Sequence, residues 1–302
     1  MVRLPLASLI LQLTMLPIVL ITGVSPKGIG AATALNLASQ GPGLLILASR
    51  TKSRVEEVAA QIDEKYPGTT VKVVALDLGS QKSIREAATT VAALTDKLDI
   101  LINNAGVVVT SRQATPEGIE QQFGTNHIGP FLFTNLLLPL LHKAAQTSPP
   151  GATRIVTLSS AGHRLSPIRF SDYNFEGKPV PPEEDHFKPL AGAFANCTPD
   201  GYNGIVTYAQ SKTANILFTL YLQKHLPKHG IAPYVLHPGS KLISFSASIM
   251  VKLLTCPDKP SKQISAAIRT RNCRPSSTKL PCIGRPLMRE PRPRLSRRWT
   301  QR

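Results

Sequence analysis

An apolar run, Ile18-Val19-Leu20-Ile21, leads through Thr22-Gly23 to Gly28-Ile29-Gly30 and then into the alanine-rich stretch from Ala31 to Ala38. A short aliphatic run, closely spaced glycines and a series of good helix formers predict a strand, a tight turn and a helix. The first N–H groups of such a helix have no intrahelical partners, and glycines without a Cβ let a phosphate approach them. The pattern therefore predicts the opening unit of a dinucleotide-binding fold. Four residues separate Gly23 from Gly28, a loop that leaves the anion site intact.

The rest of the chain repeats the alternation of apolar runs and helical segments. Strands are expected near 17–21, 43–48, 71–76, 98–102, 153–159 and 231–236, with helices between them. Runs such as Leu44-Leu45-Ile46-Leu47 are apolar at every position, as strands are when helices cover both sheet faces. With 302 residues, 42% of them hydrophobic, the chain can close one sizeable core. The expected fold class is α/β, a doubly wound parallel sheet (Rossmann fold), in a single domain with an irregular basic C-terminal tail.

Tyr208 and Lys212 stand four apart in Tyr208-Ala209-Gln210-Ser211-Lys212, so on a helix an ammonium would lie beside a phenol and favour its ionised form. Such a pair is common on amphipathic helices and means little alone. Here it follows the glycine turn, Asn103-Asn104-Ala105-Gly106, Asn126 and Ser159-Ser160, in that order. Together these residues resemble the short-chain dehydrogenase/reductase family from about Ile18 to Gly239. Ser159 to His163 and Lys212 to Phe218 are similar to its retinol-dehydrogenase-like branch, fungal members above all.

The resemblance implies an NAD(P)-dependent oxidoreductase with Asn126, Ser160, Tyr208 and Lys212 as its catalytic set. Tyr208 would be the general acid in reduction and the general base in oxidation, and Lys212 would also bond the nicotinamide ribose. Ser160 would hold and polarise the substrate oxygen, with Ser159 the weaker candidate. Asn126 would kink the long central helix and hold a water in the proton path. The family usually sets the serine close before the tyrosine; here Ser160 lies 48 residues before Tyr208, so the chain between must loop out. Pro130 would bend a helix interior and suit a first turn, and its effect on the water path is open. His127, His163 and His237 have no companions at metal-ligand spacing, so no metal is expected.

Cofactor contacts are expected from Gly23, Lys27, Gly28, Ile29, Gly30, Arg50, Asp77, Leu78, Asn104, Ala105, Gly106, Tyr208, Lys212, Pro238 and Gly239. The second strand ends Ala48-Ser49-Arg50, with no carboxylate until Glu56, and Lys27 directly precedes Gly28. Cations at these two places suit a 2′-phosphate, which favours NADP(H) over NAD(H).

Residues 161–203 form an insertion rich in Pro, Gly and acidic side chains, expected to be ordered by turns and to roof the substrate pocket. Phe170, Phe175, Phe187 and Phe194 would either meet a lipophilic alcohol, aldehyde or ketone or pin the loop to the body. The Rossmann domain is bounded at 17–249, after an apolar lead of residues 1–16 too short to span a membrane. After His237-Pro238-Gly239 the family's threonine is missing until Thr255. Residues 250–302 hold fourteen Lys and Arg against two acidic residues. That tail is expected to be disordered, or the product of a shifted reading frame or misassigned splice. A basic arm for nucleic acid or anionic membranes and a divergent folded ending are the other readings.

Four cysteines give neither a disulfide framework nor zinc spacing, so cytosol is the expected compartment, with peripheral membrane contact permitted. The partner would be a small lipophilic substrate and no specific nucleic acid; a homo-oligomer is compatible. The alternative function is a catalytically impaired nucleotide-binding relative with an altered C-terminus.

Overall fold

In the computed structural model, residues 16–190 and 192–239 are described. The expectations for residues 1–15 and for the tail from 240 onward, including the missing threonine, lie outside the described residues.

Six apolar segments become strands: β1 (Ile18–Thr22), β2 (Leu44–Ser49), β3 (Val71–Ala75), β4 (Ile100–Asn103), β5 (Thr153–Leu158) and β6 (Ile231–Leu236). They form one parallel sheet in the order β3-β2-β1-β4-β5-β6. The order reverses between β1 and β4, where a crevice opens at the carboxyl ends of the strands. The helices are α1 (Ile29–Ala38), α2 (Lys52–Lys65), α3 (Gln81–Leu94), α4 (Gln121–Thr147) and α5 (Gly204–His225). This is a doubly wound α/β fold, with strands within two residues of their expected positions.

Both faces of the sheet are covered. Leu20, Ile46 and Leu101 pack into one apolar layer with α3, α4 and α5; Val19, Ile21, Leu45, Leu47 and Ile102 pack into another with α1 and α2. Alternate residues of one strand thus serve opposite cores, which is why the inner strands β1 and β2 carry no polar face. By length and composition α4 could cross a membrane, yet Phe133, Leu137, Leu140 and Leu141 bury one side of it in the first layer.

The helix α4 is interrupted near its start. Residues Gly124–Ile128 form a π turn, in which the Gly129 N–H bonds the Gly124 carbonyl five residues back. Pro130 falls where the α-helical register resumes, near the first position of a new segment, a place that suits its fixed φ. The insertion contains only short 3₁₀ turns among its described residues, at Ala161–Leu165, Phe170–Asp172, Pro182–Glu184 and Gly192–Ala195. It is tied down by polar contacts: Arg112 donates to Asp200 (2.7 Å) and to the Asn174 carbonyl (3.0 Å), and Asn174 Oδ1 accepts the Glu120 N–H (2.9 Å).

Candidate active site

The loops after β1, β4, β5 and β6 all emerge at the same edge of the parallel sheet. At the first, Gly23 holds φ +72, and a Cβ there would lie 2.5 Å from the Ala105 Cα. A Cβ on Gly30 would lie 2.6 Å from the Gly23 carbonyl oxygen and 2.8 Å from Asn104 Nδ2. The two loops therefore touch through glycine backbone, and larger residues would push them apart. Thr22 Oγ1 sets their register by accepting the N–H groups of Asn104 and Ala105, each at 3.1 Å. Asn104 Nδ2 returns to the Thr22 carbonyl (2.8 Å) and the Gly23 carbonyl (3.1 Å).

The four-residue spacer folds as a type II turn. Gly28 N–H bonds the Ser25 carbonyl at 3.0 Å, Pro26 supplies the second position, and Lys27 takes the third with φ +61. Gly28 then starts α1 with no side-chain cap, so the first helical N–H groups are left for an anion. Lys27 and, at the end of β2, Arg50 are exposed, and neither forms an ion pair among the described residues. Asp77 follows β3 and accepts the Gly79 N–H at 2.9 Å; Leu78 beside it is buried. Pro238 and Gly239 follow β6 at the last described positions.

Tyr208 and Lys212 lie one turn apart on α5, with Lys212 Nζ 5.4 Å from the centroid of the Tyr208 ring. Lys212 is buried, Nζ donates to the Leu158 carbonyl at 3.3 Å, and desolvation pulls its pKa down to about 8. Two of the three ammonium hydrogens remain for other acceptors. A Cβ on Gly106 would lie 3.2 Å from that Nζ and 3.4 Å from Asn126 Oδ1, so lysine, asparagine and the loop after β4 border one small space.

Ser160 opens the Ala161–Leu165 turn and accepts the Gly162 N–H at 3.2 Å. A Cβ built on Gly162 would sit 3.5 Å from Ser160 Oγ and 3.5 Å from Tyr208 Cε1. Ser160 and Tyr208 thus flank a single residue despite their separation in sequence. Ser159 faces the other way and donates to the Lys212 carbonyl at 2.8 Å, joining the end of β5 to α5.

Asn126 lies in the π turn, fully buried. Its Oδ1 accepts the Val107 N–H (2.7 Å), while Nδ2 donates to the Val107 carbonyl (3.0 Å) and to Ser211 Oγ (3.0 Å). Both Nδ2 hydrogens and one acceptor position of Oδ1 are taken by protein groups, and its own carbonyl lacks the α-helical donor because residue 130 is proline.

His127 packs against Phe123, Phe131 and Phe218, and desolvation lowers its pKa to about 4, the behaviour of a neutral core imidazole. Among the described residues no group of His, Cys, Asp and Glu could hold a metal. A cavity of about 340 Å³ lies between the insertion and the start of α5, bordered by Arg169, Phe175, His186 and Val206. None of Asn126, Ser160 and Tyr208 lines it. Sequence reading missed Thr22, Gln122 and Gly162, which owe their positions to contacts with distant residues.

The family model described as short chain dehydrogenase matches residues 17–174. The chain is 35% identical over 238 residues to oxidoreductase fscI of Fusarium equiseti, covering 78% of this chain and 90% of that protein. The chain belongs to the short-chain dehydrogenases. As a member of that family it is an NAD(P)-dependent oxidoreductase. This short-chain dehydrogenase is also 38% identical over 221 residues to human retinol dehydrogenase 13, covering 73% of its own length and 58% of that relative's. It spans under two thirds of the length of the retinol dehydrogenases it matches. In three dimensions it resembles a metagenomic short-chain oxidoreductase solved in complex with NADP, with a TM-score of 0.58 and 23% identity over 80% of this chain and 92% of that one. That likeness concerns the fold.

Proposed function

We propose that this enzyme moves a hydride between NADP(H) and a lipophilic alcohol, aldehyde or ketone, with Tyr208 exchanging the proton and Asn126, Ser160 and Lys212 supporting it. The observation that carries the reading is the placing of Ser160 Oγ and the Tyr208 ring on either side of Gly162, with Lys212 Nζ against the same ring.

The dinucleotide fits the residues present. Gly23, Gly28, Ile29 and Gly30 provide a backbone cradle that side chains would fill, with Asn104, Ala105 and Gly106 beside it. Asp77 and Leu78 would border the adenine end, and Pro238 and Gly239 the nicotinamide end. Exposed Lys27 and Arg50 stand ready for a 2′-phosphate, which supports NADP(H). When bound, the nicotinamide supplies or accepts the hydride.

The chain's own residues manage the proton and the substrate oxygen. Ser160 donates a hydrogen bond to that oxygen and holds it within reach of the Tyr208 hydroxyl. Tyr208 gives its proton as negative charge develops there during reduction, and takes it back in oxidation. Lys212, cationic at neutral pH, offsets the charge left on the phenol and has hydrogens free for a ribose hydroxyl. The Asn126 carbonyl, without an α-helical donor from Pro130, can hold a water that replenishes the proton.

Phe170, Phe187 and Phe194 expose their rings, which supports a lipophilic substrate, as does the name of the retinol dehydrogenase relatives; Phe175 is instead a buried anchor against Tyr202 and Val206. Phe131 on α4 and Leu217, Leu220 and Tyr221 on α5 are exposed, compatible with self-association. Free Cys197 suits a reducing compartment such as the cytosol.

Fluorescence titration with NADPH and NADH, followed by turnover with all-trans-retinal, nonanal and 2-nonanone, tests the reading. NADPH should bind at least tenfold tighter than NADH, Arg50→Glu should erase that margin, and one of the carbonyl compounds should be reduced. Tight NADPH binding without turnover on the panel would favour an impaired nucleotide-binding relative. Equal affinity for both cofactors would refute the NADP(H) assignment.

A further inference from the structure

Gln122 stands one helical turn before Asn126 on α4, fully buried, and like it joins the loop after β4 to a hydroxyl of α5. Asn126 brackets the Val107 peptide and reaches Ser211. Gln122 Oε1 accepts the Val109 N–H at 3.2 Å, and Nε2 donates to Thr207 Oγ1 at 2.6 Å. Thr207 and Ser211 are themselves one turn apart on α5, and Tyr208 lies between them. The second Nε2 hydrogen goes to the Gly204 carbonyl at 2.7 Å, and the Tyr202 hydroxyl (3.0 Å) and the Val109 carbonyl (3.4 Å) lie nearby. The orientation of the amide follows from chemistry, since the opposite one would set two carbonyl oxygens against each other at Gly204.

The clamp is held from behind. Glu120 accepts the Gln122 N–H (3.0 Å), the Phe123 N–H (2.7 Å) and the Tyr202 hydroxyl (2.8 Å), all buried. Gln122 therefore ties the start of α4, the loop after β4 and the first turn of α5 together at one side chain. It touches none of the groups expected to meet cofactor or substrate.

We infer that Gln122 is a positioning residue for turnover: with Asn126 it forms a two-rung amide ladder that fixes the height and rotation of α5, and so the place of the Tyr208 hydroxyl over the crevice. The inference rests on the assignment of Tyr208 as proton carrier. A displacement of about 1 Å at a reacting group can lower a rate by as much as two orders of magnitude. An interaction that sets geometry without touching ligand should act on kcat and leave cofactor affinity alone.

Two variants test it. Gln122→Glu keeps the shape and the acceptor but lacks the amide donors while ionised; Thr207→Val removes only the hydroxyl at the α5 end. NADPH affinity, kcat per NADPH-binding molecule with nonanal, and amide hydrogen exchange along α5 are measured for both, with Tyr208→Phe as control. The expected result is a roughly tenfold or greater loss of kcat in Gln122→Glu, partly regained as pH is lowered and the new carboxyl becomes a donor, and a smaller loss in Thr207→Val. NADPH affinity should stay within twofold, and exchange should rise at residues 207–212 but not in α1. Unchanged kcat and exchange in Gln122→Glu would overturn the inference, as would failure of both variants to yield folded, NADPH-binding protein, which would make the ladder a folding element alone. If the parent shows no turnover, the exchange measurement decides. A Tyr208→Phe control as active as the parent would remove the mechanistic reading, whatever the Gln122 variants do.

Discussion

Lys27 keeps a left-handed backbone at φ +61, a conformation that glycine and asparagine adopt at lower cost than lysine. Retaining a lysine there is consistent with a task for its charge. Lys27→Asn should therefore leave urea stability unchanged or raise it by about 0.5 kcal/mol, yet weaken NADPH several-fold more than NADH. Equal weakening of both cofactors would place the lysine on the shared pyrophosphate instead. Gly30→Ala should act oppositely, since its Cβ meets the Gly23 carbonyl at 2.6 Å: a loss of about 1–3 kcal/mol in urea denaturation. At this scale the sequence displayed the residues whose spacing carries meaning, such as Tyr208 with Lys212 and the glycines after β1. It did not display Gln122, Glu120 and Tyr202, because a buried polar network joins positions far apart in the chain and leaves no local pattern.

Helix α5 carries Thr207, Tyr208, Ser211 and Lys212, and α4 carries Gln122 and Asn126, so the site depends on how these two helices are pinned. Their starts are capped by Glu120, which binds two α4 N–H groups, and Asn203, whose Oδ1 accepts the N–H groups of Ile205 and Val206 at 3.0 Å each. Burial raises the Glu120 pKa against the pull of those N–H groups and of the Tyr202 hydroxyl. Removing its carboxylate leaves three donors without partners. Glu120→Ala should cost about 2–4 kcal/mol in equilibrium unfolding, the loss of a cap together with unmet buried groups; a change under about 0.5 kcal/mol would deny the cap its role. The strands were legible because apolar runs covered on both faces have no other stable placement. The π turn was not, because a shift from four-residue to five-residue bonding has no sequence period. Turn-rich composition foretold the form of the insertion, whereas the way it docks depends on Arg112, Asp200 and Asn174, which only the fold brings together.

For the whole molecule, the parallel sheet gathers the loops after β1, β4, β5 and β6 at one edge and sets a buried ammonium among them. Because desolvation lowers the Lys212 pKa from 10.5 to about 8, the folded chain gives up this proton before the unfolded chain does. Between those values the unfolded state binds more protons, so this group's contribution to stability rises with pH, and below about 8 its burial carries the full cost. In the cofactor-free protein, Lys212→Met should unfold at higher urea than the parent at pH 7, and the gap should narrow toward pH 10. A gap that widens with pH would mean that the ammonium stabilises the fold.

The central claim is that the Tyr208 hydroxyl exchanges the proton with a substrate oxygen held by Ser160, and replacing that hydroxyl with hydrogen tests it most directly. Single-turnover reduction of nonanal by NADPH should slow by about 10²–10⁴-fold in Tyr208→Phe, with NADPH affinity within twofold of the parent. A Tyr208→Phe protein that binds NADPH normally and reduces nonanal at the parental rate would contradict the account.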